Sequence, residues 1–359
     1  MTNVTGEPLR AGLSGCGGIS HATLEAAARS PDFSVVALHD ADAGATRRLG
    51  ARFGVAGCAD SFDGLLGDDI DFLILNGPNH VHAEQAIAAV SAGKPVLVQK
   101  PMARDHAEAC TMADAARRAD VPLGVTMLEL GRPLHQDLCT LIRDGFIGEP
   151  VLVEACLAHA NHVRSPPAPG DWRLDPAKVG GGVFIQLAVH HLALASWLLD
   201  RPVVEVGALS AGGHTPFEEE STVALARFDG GAVATFSASW ATDAVRFSVS
   251  GTEGRIEVAD DRVRISVNRP FSGTVVGAID AGDGNVTSMD DIVARGRPRA
   301  SVLEVHGRFA RAVRGEDAYP WPASRALADM RVLDAAATSM RTGRIEAVGE
   351  EPHESADGR

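Results

Sequence analysis

Residues 9–20 read Leu9-Arg10-Ala11-Gly12-Leu13-Ser14-Gly15-Cys16-Gly17-Gly18-Ile19-Ser20. An apolar run of strand length gives way to glycines, and a helix-like segment over residues 22–29 follows. Glycines at such a turn permit a tight bend and let backbone N–H groups approach a pyrophosphate. The helix N-terminus adds a favourable dipole. A G-x-G-x-x-G pattern is weak in isolation and strong after a strand and before a helix. Here Ser20 stands where its third small residue belongs. The setting assigns Gly15, Cys16, Gly17, Gly18 and Ile19 to a dinucleotide cradle.

Outward from that stretch, strand-like segments over residues 33–38, 71–75, 95–98 and 121–125 alternate with helix-like ones over 43–53, 82–92 and 106–119. Apolar strands without alternation, separated by helices, predict a parallel sheet covered on both faces. Residues 1–127 therefore read as a doubly wound Rossmann domain. The pattern then changes. A helix over 133–143 and a strand over 150–159 precede a Pro- and Gly-rich loop at 161–182 and a long helix at 183–199. Strand-like runs between 203 and 267 are punctuated by turn dipeptides such as Asp229-Gly230. Helices over 302–313 and 323–340 follow, with an unassigned glycine-rich stretch, 269–299, before them. Residues 128–345 thus read as an α+β domain on a mainly antiparallel sheet, and the polar residues 346–359 as a disordered tail.

A chain of 359 residues exceeds what one core usually supports, in keeping with two domains. Its net charge of -14 speaks against nucleic acid and anionic membrane as partners. The sequence shows neither an uncharged membrane-spanning run nor a secretory pattern at its start. The five cysteines are scattered without metal-ligand spacing, which suits reduced thiols in the cytoplasm and no bound metal.

In an open parallel sheet, ligands bind beyond the carboxyl ends of the strands. Asp40, Asn76-Gly77-Pro78-Asn79 and Gln99-Lys100 all fall at predicted strand ends. A carboxylate at Asp40 accepts hydrogen bonds from the adenosine ribose and repels a 2′-phosphate, which favours NAD over NADP. Asn79 also suits a helix N-cap. Of 33 basic residues only Lys94, Lys100 and Lys178 are lysines. A lysine pKa can be tuned for proton transfer, whereas arginine stays charged. Lys100 is placed to hydrogen-bond a substrate hydroxyl or carbonyl. Gly180-Gly181-Gly182 leads into a helix on which Gln186 and His190 share a face, with His191 about 100° away. Taken alone, His190 reads either as a satisfied core histidine or as a catalyst. Glu129, Arg132, His159, Asn161, His162, Arg164, Trp172 and Arg173 flank the predicted pocket, and Arg164 or Arg173 could clamp a carboxylate.

These stretches together resemble the glucose–fructose oxidoreductase/inositol dehydrogenase/rhizopine-catabolism (Gfo/Idh/MocA) family. The similar segments are residues 11–20, 88–102, 172–199 and 323–344, in the right order over nearly the whole chain. The resemblance implies a second domain with an open-faced sheet that forms the substrate pocket and the interface of a homodimer or homotetramer. The family's Glu-Lys-Pro signature is met as Gln99-Lys100-Pro101. Its glycine run followed by Asp and, four residues on, His is met with Gln186 and His190. The resemblance implies catalytic roles for Lys100 and His190, with Gln186 beside them. Both acidic positions are glutamine, which can hydrogen-bond but holds no charge. Losing nearby anions lowers the pKa of Lys100 or His190.

The implied activity is NAD(P)-dependent hydride transfer between nicotinamide and a carbinol or carbonyl carbon of a sugar, cyclitol or related polar small molecule. His190 serves as general acid/base with Lys100 polarising the reacting oxygen, or the two roles are exchanged. Two alternatives keep the dinucleotide: redox-neutral elimination through transient oxidation, and a regulator without turnover. Tyr319, the only tyrosine, precedes a proline, so no Tyr-x-x-x-Lys pair exists.

Overall fold

The computed structural model describes residues 6–259, 262–267, 287–288 and 298–349. Most of the glycine-rich stretch and the last ten residues of the expected tail lie outside the described residues.

Six strands form the first sheet: β1 (Leu9–Ser14), β2 (Phe33–His39), β3 (Gly57–Cys58), β4 (Phe72–Leu75), β5 (Val96–Gln99) and β6 (Leu123–Thr126). They run parallel in the order β3-β2-β1-β4-β5-β6. Helices α1 (Gly18–Ala27), α2 (Ala43–Phe53), α3 (Asn79–Ser91) and α4 (His106–Ala119) connect them. Every residue of β4 is buried, as are Val96, Leu97 and Val98 of β5, which explains why these strands show no alternation. The order reverses between β1 and β4, so a crevice opens where the loops after these two strands part. This is the expected Rossmann unit. β3 escaped the sequence reading because two residues carry no period.

The second sheet holds β7 (Pro150–Ala158), β8 (Val203–Ala211), β9 (Ser221–Phe228), β10 (Val233–Ser239), β11 (Ala244–Gly251), β12 (Gly254–Ala259), β13 (Arg262–Val267), β14 (Thr287–Ser288) and β15 (Glu346–Ala347). Their order is β14-β13-β12-β11-β7-β10-β9-β8-β15. β7 and β10 pair in parallel, and the other pairs are antiparallel. One face is buried through residues such as Val206, Ala224, Phe236 and Phe247. On the other face Leu209 (75% exposed), Leu225 (59%), Val223 (54%) and Val233 (46%) point outward. The remaining helices are α5 (Pro133–Arg143), α6 (Asn161–Arg164), α7 (Pro176–Val179), α8 (Val189–Leu199), α9 (Pro298–Val313) and α10 (Ala323–Thr342).

Three expectations are corrected. The helix foreseen over 183–199 opens with a π turn at Phe184–Ala188 before α8. Residues 346–348 are no tail, because β15 pairs with β8 and Val348 N donates to Val204 O at 2.8 Å. The second domain is also not one unbroken block. After β14 the chain returns to the Rossmann unit: Arg311 pairs with Asp32 at 2.6 Å, and Tyr319 Oη donates to Val125 O at 2.8 Å. Val125 N donates to Trp321 O at 3.1 Å, so this segment covers the free edge of β6. Gly124 permits the approach, since a Cβ there would lie 2.6 Å from the Tyr319 ring. By length and composition residues Pro176–Leu199 could cross a membrane, but 72% of that window is buried inside the protein, as befits a core helix.

Candidate active site

The cradle is built first. Gly15 has φ +94°, and a Cβ on it would meet Gly77 N at 2.5 Å, so the turn after β1 and the loop after β4 touch through backbone alone. Gly17 and Gly18 have nothing within 4 Å of where a Cβ would stand. No side chain caps α1 at Gly17, which leaves its first N–H groups facing that space. The fit is that of a pyrophosphate at a helix N-terminus. Ser20, the departure from the glycine fingerprint, is fully buried; its Oγ donates to Gly15 O at 2.6 Å. Asn76 Nδ2 donates to Ser20 Oγ (3.0 Å) and Thr23 Oγ1 (3.1 Å).

Asn76 therefore turns its amide nitrogen inward to lock the loop, while its buried Oδ1 has no partner among the described residues. Asn79 is engaged likewise. It is the first residue of α3, behind Pro78, and its Nδ2 donates to Val179 O at 2.7 Å, tying the two domains. Gly77 and Pro78 remain on the crevice. The ring of buried His82 lies between Gly77 O (2.9 Å from Nε2) and Pro101 O (3.1 Å from Nδ1), and its single N–H can donate to one of these two ligand-edge loops. Asp40 ends β2 with Oδ2 accepting from Cys16 N at 2.7 Å and Oδ1 from Asp42 N at 2.8 Å. Burial raises the Cys16 thiol to about 11, so it stays protonated. Ile19 is partly exposed on the first turn of α1.

The second half of the site meets the first at Lys100. The Lys100–Pro101 peptide is cis, and Lys100 N donates to Gln99 Oε1 at 3.0 Å. Lys100 Nζ donates to the main-chain oxygen of Gln186 at 2.8 Å. That carbonyl lies in the π turn, where the regular i→i−4 ladder is interrupted; such turns recur at functional sites. Gln186 thus reaches Lys100 through its backbone, and its Nε2 is buried without a partner. Burial, and behind it the charge of Arg173, push Lys100 down from 10.5 to about 8. Burial and then Lys100 push His190 down to about 3, outweighing the opposite pull of Glu129. His191 is buried against Phe247 (5.6 Å).

Two elements hold this half in place. Glu219 accepts from Gly182 N (2.9 Å) and Phe184 N (2.8 Å), anchoring the start of the π turn to the second sheet. Gly180 packs on the backbone of Arg104. Beyond Lys100, His162 lies 4.9 Å from Phe217 and 5.0 Å from Trp240, and His159 lies 6.1 Å from His162. Burial acts to raise Glu129, but His135 (3.3 Å), Arg132 (3.1 Å) and the other nearby histidines outweigh it and hold the carboxyl at about 2. Arg164 is taken up by Asp243, at 2.6 and 2.9 Å. Phe217, Glu219 and Trp240 were not found from sequence. The available signal was Trp240 one residue past β10, whose parallel partner β7 ends beside it at Ala158, just before His159.

Residues 9–127 match the family profile described as an oxidoreductase family with an NAD-binding Rossmann fold, and residues 135–257 match the GFO/IDH/MocA C-terminal domain. The chain is 32% identical over 252 residues to 1,5-anhydro-D-fructose reductase of Ensifer adhaerens, covering 69% of this chain and 74% of that one. It is 28% identical to inositol 2-dehydrogenase of Rubrobacter xylanophilus over 94% of this chain and 91% of that one. Among solved structures, an NAD binding oxidoreductase from Klebsiella pneumoniae superposes with a TM-score of 0.82 at 26% identity, covering 96% of this chain and all of that one.

Proposed function

Since the chain belongs to the Gfo/Idh/MocA family and is an NAD(P)-dependent oxidoreductase acting on CH–OH groups, we propose that Lys100 moves the proton while His190 orients the reacting oxygen. Bound nicotinamide supplies the redox step by taking or giving a hydride. Oxidation of a carbinol to a carbonyl removes that hydride from carbon and one proton from oxygen. The proton goes to the uncharged amine of Lys100, and reduction runs the same transfers backward. The observation that carries this assignment is the desolvated Lys100, bound to Gln186 O at 2.8 Å and lowered to about 8. A general acid/base works best with a pKa near the working pH. His190, lowered to about 3, is a neutral imidazole there and suits a hydrogen bond to the substrate better than proton exchange. Of the two role assignments left open by the sequence, this is the exchanged one.

The substrate is a sugar, cyclitol or related polyol, in line with the anhydro-sugar and inositol named for its relatives. NAD is favoured over NADP, because Asp40 places a carboxylate at the end of β2 and Arg48, the nearby cation, is spent on Asp42 at 3.1 Å. The outward apolar row Leu209, Val223, Leu225 and Val233 supports a homodimer or homotetramer through the open sheet face. Cofactor absorbance at 340 nm over a panel of polyols with NAD and NADP tests the activity. No change with any sugar, cyclitol or polyol, nor with any of their acids, refutes it. Light scattering of wild type and Leu225→Glu tests the assembly, and a wild-type monomer at micromolar concentration refutes it.

A further inference from the structure

Among the described residues, the buried polar atoms left without a partner around Lys100 are mostly nitrogens, Gln99 Nε2, Gln186 Nε2, His159 Nδ1 and His190 Nδ1, beside the hydroxyl oxygen of Thr126, the register partner of Gln99. The sense of Gln99 is fixed because its Oε1 accepts from Lys100 N, so the amide nitrogen is the end left over. An acid at residue 99 or 186 would have offered acceptors and negative charge. These glutamines leave donors. Of the nearby carboxylates, Glu129 is committed to Arg132 and His135.

Arg173 adds a cation on the same side. It stands in the turn Trp172–Leu174, with its guanidinium 4.8 Å from the Trp172 ring centre and Nη1 held by Asp171 at 3.2 Å. Its Nε and Nη2 make no hydrogen bond among the described residues. Its field reaches both Lys100 and His162.

A neutral polyol brings hydroxyls that donate as well as accept, and a wall in which the two glutamine amides and a guanidinium offer N–H groups leaves part of those O–H groups unmatched. An ionised carboxylate only accepts, with about four lone-pair sites, and bonds more strongly to a guanidinium than any hydroxyl does. We infer that the substrate is a sugar or polyol acid, its carboxylate held by Arg173 and the amide nitrogens of Gln99 and Gln186 while Lys100 takes the proton of the reacting hydroxyl. This rests on the oxidoreductase reading above, and the hydride and proton balance is the one given there.

The test is a panel of aldonates and uronates, each paired with its neutral counterpart, such as D-glucuronate with D-glucose and D-gluconate with D-sorbitol. Each is assayed at saturating NAD and NADP. The acids should show the higher kcat/KM. Arg173→Gln, an exposed position, should lower kcat/KM for the acids by roughly 10- to 150-fold more than for their neutral partners, the range for removing a charge-assisted hydrogen bond, while the loss common to both is the part transmitted through the upward shift of Lys100. Gln186→Asp should penalise acids selectively, by repulsion. Preferred turnover of the neutral members, or acid turnover indifferent to both substitutions, overturns the inference and leaves the oxidoreductase reading standing. Cofactor left unchanged by every member of the panel overturns both.

Discussion

Gly17 and Gly18 face empty space within 4 Å, whereas a Cβ on Gly180 would run into Arg104 O and one on Gly182 into Glu219 Cβ. Both glycine runs lie at the start of a helix and both border the site. In the proposed reading, the first is bare because a dinucleotide's phosphates need the room. The second is bare because protein already fills it, from the Rossmann loop on one side and the second sheet on the other. Glycine content alone does not separate a cradle from a seam. The difference lies in what stands on the far side of the missing side chain.

The sharpest way to break this comparison is to add side chains to both runs. Gly180→Val combines a φ of +83° with a backbone clash and should cost about 3 kcal/mol or more in urea unfolding. Gly17→Ala should leave unfolding within about 0.5 kcal/mol and weaken NADH binding roughly tenfold by fluorescence titration. Equal stability losses at the two positions would end the distinction.

Next in size are the residues held by the seam, Lys100, proposed to move the proton, and His190, proposed to orient the reacting oxygen. Lys100→Met and His190→Ala should each lower kcat roughly 10²-fold while NADH affinity stays nearly constant. In wild type, oxidation should rise with pH through about 8 as Lys100 loses its proton, and reduction should fall over the same interval. A limb that persists in Lys100→Met places the titrating group elsewhere.

Stability supplies a smaller, independent signal. The folded pKa of Lys100 lies below its ordinary value, so the unfolded chain binds more protons between about 8 and 10.5. The stability linked to this group is full above 10.5 and lost as pH falls through about 8. Lys100→Met should therefore gain melting temperature over wild type at pH 7, and that gain should shrink towards pH 10.5. The smallest effect belongs to the cradle's rim. Asp40→Ser should narrow the preference for NADH over NADPH by a few fold, about 1 kcal/mol, by removing repulsion of the 2′-phosphate. Wild-type binding of NADPH equal to or tighter than NADH refutes the preference.

The Rossmann unit was legible because its strands are buried on both faces and its glycines sit at a strand-to-helix turn, both local patterns. Lys100 was legible from the scarcity of lysine and its place after an apolar strand. What stayed hidden depends on distance in the chain. That Asn76 faces inward follows from hydroxyls at Ser20 and Thr23, more than fifty residues earlier. That Glu219 anchors the π turn depends on a carboxylate 35 residues past Phe184. The π turn has no compositional mark, since it replaces one hydrogen-bond register with another over the same apolar residues.

The edge strand β6 has a consequence for how the chain is made. Tyr319 and Trp321, which cover that edge, emerge from the ribosome nearly two hundred residues after Val125. Until then the nascent Rossmann unit presents an unpaired strand and the open notch at Gly124. Such an edge is a template for pairing with other chains. Synthesis that stalls between the two segments should leave a product that associates with itself or with chaperones. Supplying residues 298–349 as a separate peptide should relieve it.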